Sequence, residues 1–464
     1  MLTFTPITLE HHALLRKYYA GCDYHLCEYS AGTKLMWSLY LRPSFAEEAG
    51  CLIVRNRIDG EWVFDYPVPG PDGDVDAALT AIESYCTDTE TPLVISVVPE
   101  EKAPELLLRW PRLRMNNERN WKDYLYRAED MAAFAGRKYS GQRNHINKFR
   151  KEYPTAKFVP LTGADMPLIE NFWADYEQEF QKTSFNAKRE LAYAKALARL
   201  LPEGWLLGGL LVDDRLVAMS LAENCGGTLI IHVEKALYSH QGAYPTLVQA
   251  FAAHFGGGCV YINREDDAGD QGLRTSKLQY LPVRLAGKLR FEVRCEADRL
   301  REIPTVTTPR LTLTPLEERD EAAYNALCLD DARNRWWGYD YRQDLKGELT
   351  EDYFLSVARR DFAARRAVNF AVRLDRQLIG EVVLYRFDWR GGAELGCRID
   401  PAYAGHGYGA EAFAAAADWA LFRLSLARVK AKCYKENTAS YKMLSACMRP
   451  AGEDETFFYF EKTV

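Results

Sequence analysis

The chain has 464 residues, 48% hydrophobic, 27% charged and 12% aromatic, a composition that excludes disordered, collagenous and low-complexity classes. Lys and Arg number 59 against 65 Asp and Glu, and the net charge of -6 excludes a basic nucleic-acid footprint over the whole surface, leaving only a local one. At roughly 100–200 residues per domain, this length fits two or three domains. The 11 cysteines form no CxxC pair and are expected as free thiols in a reducing compartment, with no metal. Residues 1–6 lack a basic region followed by an apolar core, and no apolar run reaches the roughly 20 residues of a membrane span. A cytoplasmic protein without an integral membrane segment is the expectation, with no signal for oligomeric state.

In chain order, residues 2–8 alternate as a short strand and lead into a helical pattern through Leu14, Leu15 and Tyr18. Residues 51–63 read as a β-hairpin, and a Pro/Gly-rich loop at 67–73 precedes a helix over 75–85. The dense basic run is 137–151, where Ile146 and Phe149 mark an apolar stripe with Arg143, His145, Lys148 and Lys151 around it. That face either meets solvent or binds a phosphate-bearing partner such as tRNA. Residues 157–162 begin a second strand-to-helix run, followed by a hairpin at 208–218 and a stretch at 237–244 in which Gly242 opens another helix. Residues 261–267 read as a strand ending in a polar cluster, and 269–277 add flexible backbone and cations. By clustering alone, Glu234, Asn263, Arg264, Glu265 and Lys277 are candidate pocket residues.

Two prolines in 303–309 break all periodicity and mark a linker. A third run then repeats the pattern: a strand at 311–316, a helix through Tyr324 and Leu327, and a hairpin at 370–380. A strand at 394–400 leads into a glycine-rich loop, and residues 402–409 of that loop line up with 237–244. The expected fold class is therefore α/β (α+β): a fused pair of units at 1–135 and 136–302, then a separate domain at 303–464. Each unit is expected as a mixed, mostly antiparallel sheet flanked by helices.

The third unit carries the clearest chemistry. Gly405, Gly407 and Gly409 alternate with His406 and Tyr408 ahead of a helix. Such a loop either simply turns the chain or wraps its N–H groups around an anion, for which a pyrophosphate is the natural candidate. Together with Thr308 to Leu313, Glu394-Leu395-Gly396, the run 403–412 and Asn437 to Ser440, these residues resemble the GNAT family of N-acetyltransferases. The resemblance is closest to the ribosomal-protein alanine acetyltransferase branch and runs from about residue 307 to the end. It implies transfer of an acetyl group from acetyl-CoA to a small-molecule or peptide amine.

On that resemblance Ala404, Gly405, His406, Gly407, Tyr408, Gly409 and Ala410 form the cofactor loop, with Asn437 as a further contact. Ala404 stands where the family places a basic or amide side chain. Glu394 is the candidate base, and a main-chain N–H around Arg398 or Ile399 the oxyanion donor. The tyrosine acid of many members is replaced by Leu444. Ser440 is the implied acid, with Tyr441 as a second candidate. Trp336, Trp337 and Tyr339 suit a cationic acceptor or pack as core.

Residues 121–126, 137–151 and 261–277 resemble the uncharacterised family related to the C-terminal domain of phosphatidylglycerol lysyltransferase, over roughly residues 1–300. That family implies a tandem pair of GNAT-like folds akin to Fem-type transferases, which take an aminoacyl group from tRNA. The second unit has only Gly242 where the third has three glycines, so another acyl or aminoacyl donor, or no catalysis, is expected there. The alternatives to an N-acetyltransferase are a Fem-like transferase in the N-terminal pair and a non-catalytic binding module.

Overall fold

Strand and helix in this protein follow the period of the apolar residues. The computed structural model describes residues 1–180, 185–200, 204–338, 340–343, 345 and 347–464. It divides into two compact units, one made of Met1–Glu105 with Met115–Glu292 and the other of Leu106–Arg114 with Val293–Val464. Three mixed sheets flanked by helices run through them, as GNAT-like units require. Among the described residues, no helix is long and apolar enough to cross a membrane.

Two of the sheets share the first unit. One runs Thr5–Pro6, Ser44–Glu48, Cys51–Ile58, Glu61–Asp65, Val94–Pro99 and Lys288–Val293. The other runs Arg284–Ala286, Asp123–Arg127, Tyr261–Asn263, Thr228–Ala236, Arg215–Cys225, Leu206–Val212 and Lys157–Pro160. The sheets therefore do not divide at residue 135. Asp123–Arg127, placed with the first unit by sequence, pairs with Tyr261–Asn263 in the second sheet, and Lys288–Val293 returns to pair with Val94–Pro99 in the first. Tyr124, Tyr126, Phe134, Ile146 and Phe251 fill the core between the second sheet and its helices.

The other unit centres on a sheet ordered Val306–Thr307, Thr312–Pro315, Ala367–Leu374, Gln377–Tyr385, Gly392–Ile399, Arg428–Tyr434, Phe457–Thr463 and Arg449–Glu453. The expected linker at 303–309 thus contributes a strand, because Val306 and Thr307 find partners in Leu313 and Thr312. On one face lies the helix Tyr408–Phe422, whose buried side includes Ala412, Ala416, Ala417 and Ala420. Small side chains there let the helix axis approach the sheet, and Phe413, fully buried, fills the remaining depth. On the opposite face Tyr324, Leu327, Phe354 and Leu355 form a second cluster against Ala371.

Candidate active site

Strand Gly392–Ile399 pairs in parallel with Arg428–Tyr434 only through Gly392, Ala393 and Glu394. The strand Arg428–Tyr434 stays paired along its length with Phe457–Thr463, so the two parallel strands part after Glu394. Beyond that point Leu395 to Ile399 keep a neighbour on one edge only. The Asp400 N–H donates to the Ile379 carbonyl at 2.8 Å. The alternation of an antiparallel ladder then commits the Arg398 N–H to the strand Gln377–Tyr385 and turns the N–H groups of Cys397 and Ile399 toward the open edge. Of the two main-chain positions expected for an oxyanion donor, the Ile399 N–H faces the open edge and the Arg398 N–H is committed to the ladder.

Period-two alternation puts Glu394, Gly396 and Arg398 on one face of this strand. Ala393, Leu395 and Ile399, on the other, join the core with Ala412 and Phe413. The first face lies beneath Trp337: a Cβ on Gly396 would stand 3.3 Å from the Trp337 ring, a tight contact that glycine avoids. The Arg398 guanidinium sits 4.5 Å from the same ring and is held by Glu381 at 2.8 Å, Asn334 Oδ1 at 2.9 Å and Cys328 Sγ at 2.9 Å. Its side chain thus lies on the Trp337 face of the strand. Trp336 lies 5.7 Å from the Tyr434 ring. Tyr339 lies outside the described residues.

Glu394 is half-buried, with Oε1 3.4 Å from Arg386 Nη1. Its other oxygen, Oε2, is buried without a hydrogen-bond partner among the described residues. A carboxylate with one oxygen in reserve can accept a proton from an ammonium or from a bridging water.

The glycine loop sits at the mouth of the parted strands. Gly405 and Gly407 have φ of 82° and 79°, backbone that L side chains rarely adopt. Gly407 caps the helix Tyr408–Phe422, whose first N–H groups have no acceptor within the helix. A Cβ on Gly409 would lie 3.4 Å from Ile399, 3.6 Å from Met443 Sδ and 3.9 Å from Cys397 Sγ. That glycine therefore marks where strand, loop and the helix Thr438–Cys447 converge. His406 and Tyr408 stack with ring centroids 5.7 Å apart, while Ala404 and Ala410 complete the loop. Burial pushes the Cys397 thiol up to about 12, so it stays protonated.

The helix Thr438–Cys447 turns the two candidate acids in different directions. Asn437 caps it, Oδ1 accepting the Ser440 N–H at 3.1 Å. Met443, and Cys447 whose Sγ is 3.8 Å from the Ala410 carbonyl, face the glycine loop. Ser440, three residues before Met443, shares that face. Tyr441 is turned onto the neighbouring strand, its ring 4.8 Å from Phe458 and 5.7 Å from Phe460.

In the first unit the corresponding loop is occupied by the protein itself. The Glu179 carboxylate accepts from Ser239 N–H at 3.1 Å and Ser239 Oγ at 2.5 Å. A Cβ on Gly242 would meet the His145 carbonyl at 2.7 Å and Phe149 at 2.9 Å, because the basic helix Ser140–Glu152 packs across it. His145 and Lys148 are exposed, whereas Arg143 is tied to the carbonyls of Phe134 at 2.5 Å and Gly136 at 2.7 Å.

The residues expected to cluster do so in two groups. Arg264 bonds Glu234 Oε2 through Nε at 3.0 Å and rests 4.5 Å from the Tyr280 ring, with Tyr244 OH on the same carboxylate oxygen at 2.8 Å. Lys277 donates to the carbonyls of Arg264 and Asp266. Asn263 bonds Asp123 at 2.8 Å, and its Oδ1 takes the Glu265 N–H at 2.7 Å, holding Glu265 at a φ of 58°.

Around these lie groups that sequence reasoning missed. Lys288 Nζ is 2.7 Å from Asp123, 2.7 Å from Glu28 and 3.1 Å from Asp266. Cys27, Glu28 and Asp266 have donor atoms within 4.8 Å of one another, and the Lys288 ammonium lies among them. Burial pushes the Glu28 carboxyl up to about 7 despite that ammonium. His232 bridges Glu223 at 2.9 Å and Glu265 at 3.1 Å. Burial alone would lower its imidazole, but the two carboxylates outweigh it and raise it to about 9. The available signal was one polar residue inside an apolar strand, His232 after Leu229-Ile230-Ile231.

Comparison with known proteins agrees with this architecture. Residues 22–288 match the family model described as phosphatidylglycerol lysyltransferase, C-terminal, and residues 310–447 match the acetyltransferase (GNAT) domain. A solved conserved protein of unknown function from Bacteroides thetaiotaomicron is 29% identical, with a TM-score of 0.56 over 63% of this chain and 99% of that one. A GNAT-family acetyltransferase of Bacillus anthracis is 22% identical over 34% of this chain and 98% of its own, with a TM-score of 0.30. An uncharacterized protein of Mycoplasmoides gallisepticum is 24% identical over 175 residues, 37% of this chain, and the chain spans 56% of that curated relative's length. The GNAT match supports acyl transfer as the general class of chemistry in the C-terminal unit. With more than half its length matched by one model, the chain belongs to the phosphatidylglycerol lysyltransferase C-terminal family and joins to it a C-terminal GNAT domain.

Proposed function

We propose that the C-terminal unit is an N-acetyltransferase that moves an acetyl group from acetyl-CoA to an amine. The observation that carries this reading is the coincidence of the parted strands, the glycine loop at their mouth and the Glu394 carboxylate on the Trp337 face, one oxygen of which has no hydrogen-bond partner among the described residues. The donor supplies an activated thioester. Glu394 takes the proton of the acceptor ammonium, directly or through a water, and frees the nitrogen lone pair to form the new C–N bond. The N–H of Ile399, with that of Cys397 beside it, hydrogen-bonds the carbonyl oxygen as negative charge collects there. As the C–S bond breaks, Ser440 Oγ passes its hydroxyl proton to the departing sulfur and takes in its place the second proton that the nitrogen gives up on becoming an amide. Trp336, Trp337 and the fixed Arg398 shape the acceptor side.

Titration calorimetry with acetyl-CoA tests the reading: saturable binding is expected, abolished by Gly407→Trp, whose side chain would fill the loop. No binding at millimolar donor refutes it.

For the N-terminal unit a specific observation favours a different donor. Glu179, the His145 carbonyl and Phe149 occupy the loop around Ser239 and Gly242, which argues against a CoA diphosphate in that place. We infer a donor without one, an aminoacyl-tRNA, in keeping with the family match. Salt-dependent binding of charged tRNA, weakened by Lys148→Glu with Lys151→Glu, is expected. Equal binding by the charge-reversed protein refutes the placement.

A further inference from the structure

Ala404 leaves the cofactor loop without the side chain its family pattern provides there, and the fold brings a cation to the loop from far away in sequence. Arg310, just ahead of the strand Thr312–Pro315, lays its guanidinium across the start of the helix Tyr408–Phe422. Nε lies 2.6 Å from Glu411 Oε2, Nη1 donates to the His406 carbonyl at 2.9 Å, and the group rests 4.7 Å from the Tyr408 ring centroid. Thr308 Oγ1 at 2.6 Å and the Arg310 N–H at 3.0 Å hold the other Glu411 oxygen. The third nitrogen, Nη2, would stand 3.5 Å from a Cβ on Gly407 and has no hydrogen-bond partner among the described residues. Two nitrogens fix the guanidinium and the third faces the glycine loop.

We propose that Arg310 is an anion-binding residue of the donor site, its Nη2 donating to the diphosphate of acyl-CoA in place of the side chain missing at Ala404. The assignment rests on the acyl-CoA reading of this domain. Arginine suits it because its charge is permanent and its donors are held in a rigid fork. Glu411 does not cancel the effect: its carboxylate is occupied by Thr308 and by Arg310 Nε and N–H, so it holds the guanidinium in place before the donor arrives. A group already ordered gives up little entropy on binding.

The test compares acetyl-CoA with S-acetylpantetheine, which keeps the thioester but lacks the diphosphate, by calorimetry on the full chain. Arg310→Gln is expected to weaken acetyl-CoA about tenfold, the value of one charge-assisted hydrogen bond, and to leave S-acetylpantetheine unchanged. The double variant Arg310→Gln with Glu411→Gln is expected to remain as weak for acetyl-CoA. Recovery in the double variant would show that Arg310 serves only to neutralise Glu411 and overturns the assignment. Equal loss for both donors would make Arg310 a structural staple and overturns it too. If the unsubstituted protein binds acetyl-CoA and Arg310→Gln binds it as tightly, the assignment alone falls. If the unsubstituted protein binds neither donor, the acyl-CoA reading falls and takes the assignment with it.

Discussion

Replacing Lys288 by methionine isolates the electrostatics of the first unit with little change of volume. The Lys288 side chain is 3% exposed and Asp123 is fully buried, so the variant leaves Asp123, Glu28 and Asp266 facing one another without their cation. Breaking a buried ion pair costs about 3–5 kcal/mol, mainly because an unpaired charge remains in a poor solvent. At about 2–4 °C per kcal/mol for a unit of this size, the transition of the first unit should fall by roughly 6–20 °C. The pH dependence has a definite sign. Burial already holds the Glu28 carboxyl up at about 7 and the ammonium restrains it, so without Lys288 the folded variant binds more protons than the unfolded chain, and its stability rises as pH falls from 8 toward 5. Differential scanning calorimetry of Lys288→Met at both pH values measures this, with Lys288→Met/Asp123→Asn expected to recover part of the loss. A shift under about 1 kcal/mol, or one independent of pH, would refute the reasoning.

Three further outcomes follow from the same geometry. His232, raised to about 9, should contribute stability that is present below its unfolded value near 6.5 and lost as pH rises through 9, readable as its 15N imidazole shifts and a falling thermal midpoint. Phe413→Ala, at a fully buried site under the alanine-lined helix, should cost about 3–5 kcal/mol in the C-terminal transition, measured by urea denaturation. Ser440→Ala should lower turnover by about 10²-fold or more while Tyr441→Phe leaves it near normal, and steady-state kinetics showing the reverse would move the acid to Tyr441.

Much of the architecture was legible because it rests on local rules. The alternation of 370–380, the positive-φ glycines of the loop and the Ile146/Phe149 stripe each depend on near neighbours and were found where expected. What sequence could not show was pairing between distant segments. Asp123–Arg127 reads as the end of one run, yet it belongs to the second sheet because Tyr261–Asn263 and Arg284–Ala286 both need a partner. The Lys288 cluster joins residues near 28, 123, 266 and 288; Asp266 lies in the polar run read from sequence, but nothing local links it to the other three. Ser440 was the acid implied by resemblance and Tyr441 the second candidate; that the two side chains face different ways rests on the contacts of Met443 with the loop and of Tyr441 with Phe458, which no local spacing shows.

The Glu179 carboxylate on Ser239 has a numerical consequence. A tethered ligand acts at an effective concentration on the order of millimolar or more, so a free anion must outcompete it before it can reach that loop. The two loops align in sequence, and that of the first unit holds Glu179 as a resident occupant. Acetyl-CoA titrations should close at a stoichiometry of one per chain, and Glu179→Gln should leave that count at one, because the His145 carbonyl and Phe149 still fill the loop.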